Sequence, residues 1–171
     1  MKINEGSVYY VENEFINITQ AFEVPCRHNG ESAIYYCCYK DAINSLYWMV
    51  PVRSKTDKHQ RLDDKETEKY GQCYSVVFGK YGDADAAFLI RGVFPVKKRH
   101  IHKLHTVRGS PICVERDLRK QIRFCFDRLM ELYEKGHNFI KPDIDRIRRL
   151  IAPETYYEYL SAVKDERAEL E

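Results

Sequence analysis

The chain has 171 residues, 44% apolar and 32% charged, with 28 Lys and Arg against 26 Asp and Glu and a formal charge of +2. That length suits one compact domain, and the balance excludes a disordered or fibrous chain. No apolar stretch approaches the roughly 20 residues of a membrane-spanning helix, and Met1–Gly6 has no apolar leader segment. The expectation is therefore a cytoplasmic protein whose six cysteines are reduced thiols, mostly serving as small core residues.

In chain order, the first two-thirds reads as β. Val8-Tyr9-Tyr10-Val11 is a short strand-like run, and residues 13–19 then leave it for something less regular. A turn at Asn29-Gly30 precedes Ala33-Ile34-Tyr35-Tyr36-Cys37-Cys38-Tyr39, which has the aromatic, polar-poor character of a buried strand. Asp41 to Ser45 turns into Leu46-Tyr47-Trp48-Met49-Val50-Pro51-Val52, so the two runs predict a hairpin. Pro51 is expected at its end or at an irregularity, because proline cannot donate to a ladder. Residues 53–70 are strongly polar and predict a loop or an exposed helical segment. Strands follow at Cys73–Phe78 and Ala86–Ile90 around a Gly82-Asp83 turn, and then Val93-Phe94-Pro95-Val96.

The last third reads as helix. From Glu115 to Lys135, Leu118, Ile122, Cys125, Leu129 and Leu132 recur at spacings of four and three, and Gly136 follows as a natural stop. Pro142 introduces a helix over Asp143–Ile151, and Pro153 a last one through Tyr156, Tyr157, Leu160 and Val163. The expected fold is α+β, a single domain over residues 1–171. Its residues 1–112 would form a compact, mostly antiparallel β-barrel, against which the helices of residues 113–171 pack.

The net charge conceals an uneven distribution. Residues 91–124 carry 10 basic and 2 acidic side chains, whereas residues 152–171 carry 2 basic and 6 acidic. So basic a segment is the footprint expected for a polyanion, nucleic acid above all. A solvated basic face neutralised by the acidic C-terminus accounts for the same counts.

Three groups of residues bear on chemistry. After Pro51, Arg53-Ser54-Lys55 with Lys58 and His59 sets a hydroxyl among cations at the end of a buried strand. Cleavage of RNA by its own 2′-hydroxyl builds negative charge on phosphoryl oxygens, which fixed cations and a hydroxyl donor stabilise. Arg holds two oxygens at once, Lys acts as a point charge, and His59 is able to move a proton near neutral pH. A solvated polar loop has the same residue types. Next, Lys97-Lys98-Arg99-His100-Ile101-His102-Lys103-Leu104-His105 suits phosphate contacts along a strand. Its three-histidine spacing also admits a metal reading, but the segment has no carboxylate and its Lys and Arg would repel a dication, so no metal or other cofactor is assigned. Finally, Tyr35, Tyr36, Tyr39 and Tyr47 offer rings for base stacking, although strands favour such residues for packing alone. No CxxC pair, phosphate-binding glycine loop or paired-carboxylate motif is present, which leaves kinase, dehydrogenase and glycosidase chemistry without support.

Tyr47-Trp48-Met49-Val50-Pro51-Val52-Arg53-Ser54-Lys55, the polar segment after it, and Tyr74-Ser75-Val76-Val77-Phe78-Gly79 resemble the endoribonuclease toxins of type III toxin–antitoxin systems, the ToxN/CptN/AbiQ family. Ala87-Phe88-Leu89-Ile90, Phe94-Pro95-Val96, Ser110-Pro111-Ile112 and the long helix ending at Gly136 extend the resemblance in order over residues 8–150. It implies a PemK-like barrel with helices and a metal-independent, sequence-selective RNase. Such enzymes leave 2′,3′-cyclic phosphates and are held inactive by a pseudoknotted antitoxin RNA in a higher-order complex. The family's hydroxyl-plus-lysine motif falls on Ser54 and Lys55. The catalytic set expected is then Arg53, Ser54 and Lys55 with His28 or His59 as proton carriers. The RNA-binding set is Arg27, Tyr36, Lys58, Lys97, Lys98, Arg99, His100 and Lys103. This chain departs from the family in having Arg53 where a second small hydroxyl residue is usual, and Glu31-Ser32-Ala33 where a basic residue is expected. An N-terminal family tyrosine falls on Phe15, with Tyr9 and Tyr10 near. A catalytically silent RNA-binding module is the alternative those departures leave.

Overall fold

The computed structural model describes residues 1–25 and 33–154. In order these form β1 (Val8–Val11), α1 (Asn13–Thr19), β2 (Ile34–Asp41), β3 (Leu46–Arg53), α2 (Asp57–Tyr70), β4 (Val77–Tyr81), β5 (Ala84–Phe88), β6 (Phe94–Lys97), β7 (Ile101–Leu104), the short pair β8 (Thr106–Val107) and β9 (Ser110–Pro111), α3 (Arg116–Glu134) and α4 (Ile144–Ile151). Arg27, His28 and the last predicted helix lie outside the described residues.

The predicted hairpin forms the middle of the sheet. β2 and β3 run antiparallel from Ile34↔Val52 to Asp41↔Leu46, with Cys38 as the extra residue of a bulge. β1 pairs with β2 and β7 with β1, while β6 and β5 pair successively along the other side of β3. That succession explains Pro51, which lies inside β3 rather than at its end. β6 reaches only to Met49 and β5 begins at Val52. The Pro51 carbonyl accepts from Leu89 N–H at 2.9 Å on that side. A residue's N–H and C=O point the same way in a strand, so the missing N–H faces the gap between partners and costs the β2 ladder nothing.

The strands make a seven-stranded antiparallel sheet, β4-β5-β3-β2-β1-β7 with β6 beside β3, and it does not close into the expected barrel. No ladder joins β4 to β7. Instead Tyr81, at the end of β4, shares a 2.7 Å hydrogen bond with His105, just past β7, so side chains span the two edges of a curled sheet.

Alternation along the strands gives each face its own core. Val8, Tyr36, Val50 and Phe88 meet Ile122, Phe126 and Leu129 of α3 on one face. Tyr9, Tyr35, Met49 and Phe94 meet Phe15 of α1 and Ile147 and Ile151 of α4 on the other. α3 approaches β4 closely at Gly79, where a β-carbon would stand 2.3 Å from the Leu118 side chain. It stops at Gly136, whose φ of +86° is the left-handed geometry expected of a helix terminator. α1 replaces the predicted irregular segment, because Phe15, Ile16 and Thr19 bury one side of its two turns. The predicted strand at 73–78 begins only at Val77, since Ser75 is turned toward other partners: its carbonyl accepts from Arg91 N–H at 3.0 Å.

α2 has no buried residue. It is anchored through Glu66, whose carboxylate accepts from Ser75 Oγ at 2.7 Å and from Cys73 Sγ at 3.4 Å, and through Tyr70, edge-on to Phe139 at 5.5 Å. Burial, before any other influence, pushes the Cys73 thiol up to about 12, so it stays a donor. Glu66→Ala would strand the fully buried Ser75 hydroxyl. We expect a loss of about 1–3 kcal/mol of stability, read from the urea midpoint, and with it looser placement of the residues that α2 carries.

Candidate functional site

The C-terminal ends of β1 and β3 and the N-terminal end of β2 come together at one end of the sheet, and a cleft of about 940 Å³ opens there. The loop after β3 brings Arg53, Ser54 and Lys55 into its wall, and the first turn of α2 adds Lys58 and His59. Tyr10, Glu12, His102, Lys103 and His105 line it from β1, β7 and their flanks, and Tyr81 and Asp85 from the β4–β5 hairpin. Four cations therefore face two carboxylates, so the cleft favours an anionic ligand.

Local contacts hold several of these groups. Arg53 Nη1 donates to the Val52 carbonyl at 3.3 Å. Lys103 places its ammonium 5.2 Å from the centre of the Tyr10 ring, and the His105 ring lies 5.3 Å from it. Glu12 Oε1 and His102 Nδ1 are 2.9 Å apart at the exposed rim. Tyr81 keeps its proton, because burial pushes the phenol up to about 12. Burial lowers the pKa of His105, so its ring is neutral at pH 7. His59 is also shifted below 6.5, first by burial and then by the nearby Lys58, Arg53 and Arg91 cations. A neutral imidazole beside a hydroxyl and cations is able to accept a proton where negative charge is being stabilised.

The structure thus gathers Arg53, Ser54, Lys55, Lys58, His59 and Lys103 of the sequence-derived set. It sets the others apart. Tyr36 is only 2% exposed and packs edge-on against Phe88 at 5.5 Å beneath α3, which leaves no face for a base. Lys97 pairs with Leu46 at the start of β3, whereas Ser54 follows its end, and its ammonium is 2.9 Å from Glu154. Lys98 and Arg99 do not line the cleft. His100 stacks on Phe15 at 4.6 Å, accepts from Arg99 Nε at 3.1 Å, and is held down to about 4 by burial and then by Arg99 and Lys97. The three histidines of the spacing considered for a metal point to different partners, and among the described residues no group of three His, Cys, Asp or Glu is placed to hold an ion.

The union of Tyr10, Tyr81 and His105 at this site is not visible in the sequence. Alternation along Val8–Val11 marks Tyr10 as facing away from Tyr9, but the β1–β7 and β4–His105 neighbourhoods that unite them are long-range.

The solved structure of AbiQ, a lactococcal anti-phage endoribonuclease belonging to the type III toxin–antitoxin system, superposes on 91% of this chain and 99% of its own, with a TM-score of 0.66 and 13% identity. The chain has the AbiQ fold. No protein-family model matches the sequence, and no curated protein matches it by sequence. The AbiQ fold here is carried by the strand order and helices rather than by shared residues. Among the described residues no helix is long and apolar enough to cross a membrane.

Proposed function

We propose that this chain is the endoribonuclease toxin of an RNA-antitoxin (type III) toxin–antitoxin system, cutting RNA without a metal through attack of its own 2′-hydroxyl. The observation that carries the reading is the gathering of Arg53, Ser54, Lys55 and His59 in one anion-favouring cleft, in a chain with the fold of AbiQ. The 2′-oxygen bonds to phosphorus, its proton passes to neutral His59, and the phosphorus–5′-oxygen bond breaks. The departing oxygen collects a proton from solvent in the open cleft. The products are a 2′,3′-cyclic phosphate and a 5′-hydroxyl. The Ser54 hydroxyl donates to a phosphoryl oxygen, and Arg53 and Lys55 offset the charge that accumulates there. Lys58 and Lys103 hold neighbouring phosphates, and the same cleft is where a pseudoknotted antitoxin RNA blocks access.

The test is expression in bacteria of the intact chain beside Ser54→Ala and Lys55→Ala. Growth arrest with cut RNA is expected from the intact chain only, with relief when the partner RNA is supplied. Harmless expression with uncut RNA defeats the proposal.

The pH dependence has a definite sign. His59 must be unprotonated, and burial with the nearby cations lowers its pKa from that of an ordinary histidine, so protonation removes activity at a lower pH than it would for a free imidazole. The cleavage rate is expected to fall on the acid side of neutrality, with a midpoint below that of an ordinary histidine, as read from rates across a buffer series. In His59→Gln the remaining, slower cleavage should lose this acid limb.

The reading as a silent RNA-binding module draws on one observation, the long Arg53 side chain beside Ser54. It predicts retained, salt-sensitive binding of labelled RNA with no new ends.

A further inference from the structure

A second groove, of about 480 Å³, shares no lining residue with the cleft. It runs between the N-terminal half of α3 and the Glu5-Gly6 segment, over Tyr36 and Cys38. Its wall is cationic, formed by Arg116, Arg119, Lys120 and Arg123. At 3.6 residues per turn these four fall within an arc of about 100°, beside the arc of Ile122, Cys125, Phe126 and Leu129 that faces the core. The cations therefore emerge along the seam between helix and sheet rather than into open solvent.

One of the guanidinium groups, that of Arg123, is held in place, and Arg119 lies close over a glycine turn. Gly6 has a φ of +88°, and a β-carbon there would stand 2.8 Å from Arg119 Cδ and 2.9 Å from its Nη1. The absent side chain is what lets Arg119 lie across this turn. Arg123 sits 4.1 Å from the centre of the Tyr39 ring, and its Nε donates to both Asp127 oxygens at 2.8 and 3.1 Å. Glu5, the other acid in the groove, accepts from the Lys40 backbone N–H at 2.7 Å. Arg116 and Arg119 have no carboxylate partner among the described residues. At the rim Phe124 is 52% exposed, its ring edge-on to Tyr74 at 6.0 Å.

We infer that this groove is a second nucleic-acid site, which takes the phosphodiester backbone of single-stranded RNA on its arginines and an unpaired base on Phe124. Planar guanidinium groups that have no carboxylate partner, those of Arg116 and Arg119, match the paired oxygens of a phosphate. An exposed aromatic beside a cationic track is the arrangement that binds single strands, whose bases are free to stack. A merely solvated basic surface has no use for a glycine cradle under one arginine or an uncovered phenylalanine beside it. The inference rests on reading the chain as a protein that acts on RNA, and it gives that RNA a second point of attachment away from the cleft.

The probe is a labelled single-stranded 2′-O-methyl RNA, which lacks the attacking hydroxyl and is not cut. Its affinity for the full chain is followed against salt. Arg116→Glu with Arg119→Glu is expected to weaken binding at least about tenfold and to flatten the plot of log affinity against log salt by about 1.4, the loss of two phosphate contacts on a single strand. Arg116→Gln with Arg119→Gln should flatten it equally, and this milder pair serves if the reversed one fails to fold. Lys135→Glu with Lys141→Glu, the same charge change beyond the far end of α3, should leave the slope unchanged. Phe124→Ala should weaken binding severalfold with no change of slope. Equal effects of the Arg116/Arg119 and Lys135/Lys141 pairs, or no effect of either, overturn the inference. Because the probe cannot be cut, a chain that binds it in this groove yet cleaves nothing overturns the nuclease reading alone.

Discussion

Lys55→Ala is expected to slow RNA cleavage by about 10²–10³ while leaving the fold intact. Loss of one positioned group that stabilises developing negative charge has an effect of that size. Lys55 is exposed in the loop after β3 and forms no part of either core, so its removal disturbs no packing. Single-turnover rates on a labelled RNA, beside circular dichroism of the variant, separate the two effects. Ser54→Ala should fall in the same range, because its hydroxyl serves the same phosphoryl oxygens. Combining the two should cost less than the product of the single losses, as groups that act on one transition state are not additive. A Lys55→Ala rate within threefold of the parent would remove Lys55 from the chemistry.

The largest effect on stability is expected from Phe88→Ala. Phe88 is fully buried, packs edge-on against Tyr36, and pairs in the ladder with Val52, two residues before Ser54. Truncating a buried phenylalanine costs about 3–5 kcal/mol, through lost transfer energy and the cavity left behind. That is a large share of the roughly 5–15 kcal/mol by which a domain of this kind is stable. Urea unfolding should show a lower midpoint at an unchanged slope. Ile43→Ala, at a side chain 92% exposed in the β2–β3 turn, should change stability by less than about 0.5 kcal/mol. A Phe88→Ala loss under about 1 kcal/mol would mean that this core does not hold β5 to β3.

What was legible in the sequence followed the range of the signal. Helical spacing from Leu118 to Leu132 and the glycine at 136 located α3 to within a residue, since both are local. The aromatic runs around Tyr35 and Trp48 located the hairpin for the same reason. Face parity was harder. Tyr35 borders the cleft whereas Tyr36 is buried beneath α3, and in so uniformly apolar a strand composition does not say which face is which. Pro51 lies at an irregularity, one of the two places expected for it, but the change of neighbouring strand that makes it is revealed only by the tertiary pairing.

The site divides in the same way. Arg53, Ser54, Lys55, Lys58 and His59 were legible because they are consecutive or nearly so. The union of Tyr10, Tyr81 and His105 was not, because β1 meets β7 and Tyr81 reaches His105 across long stretches of chain. The basic run at 97–103 reads as one surface in the sequence, yet the chain turns at Lys98–His100, so Lys103 enters the cleft and Lys97 goes to Glu154.

The ends of the cut RNA report most directly on the chemistry in the cleft. Purified protein should be incubated with a labelled RNA in excess EDTA, and the fragments tested for their termini. Cut RNA carrying 2′,3′-cyclic phosphate and 5′-hydroxyl ends is expected from the parent chain, and barely any from Lys55→Ala. RNA left intact, or fragments ending in 3′-hydroxyl and 5′-phosphate, would contradict that chemistry.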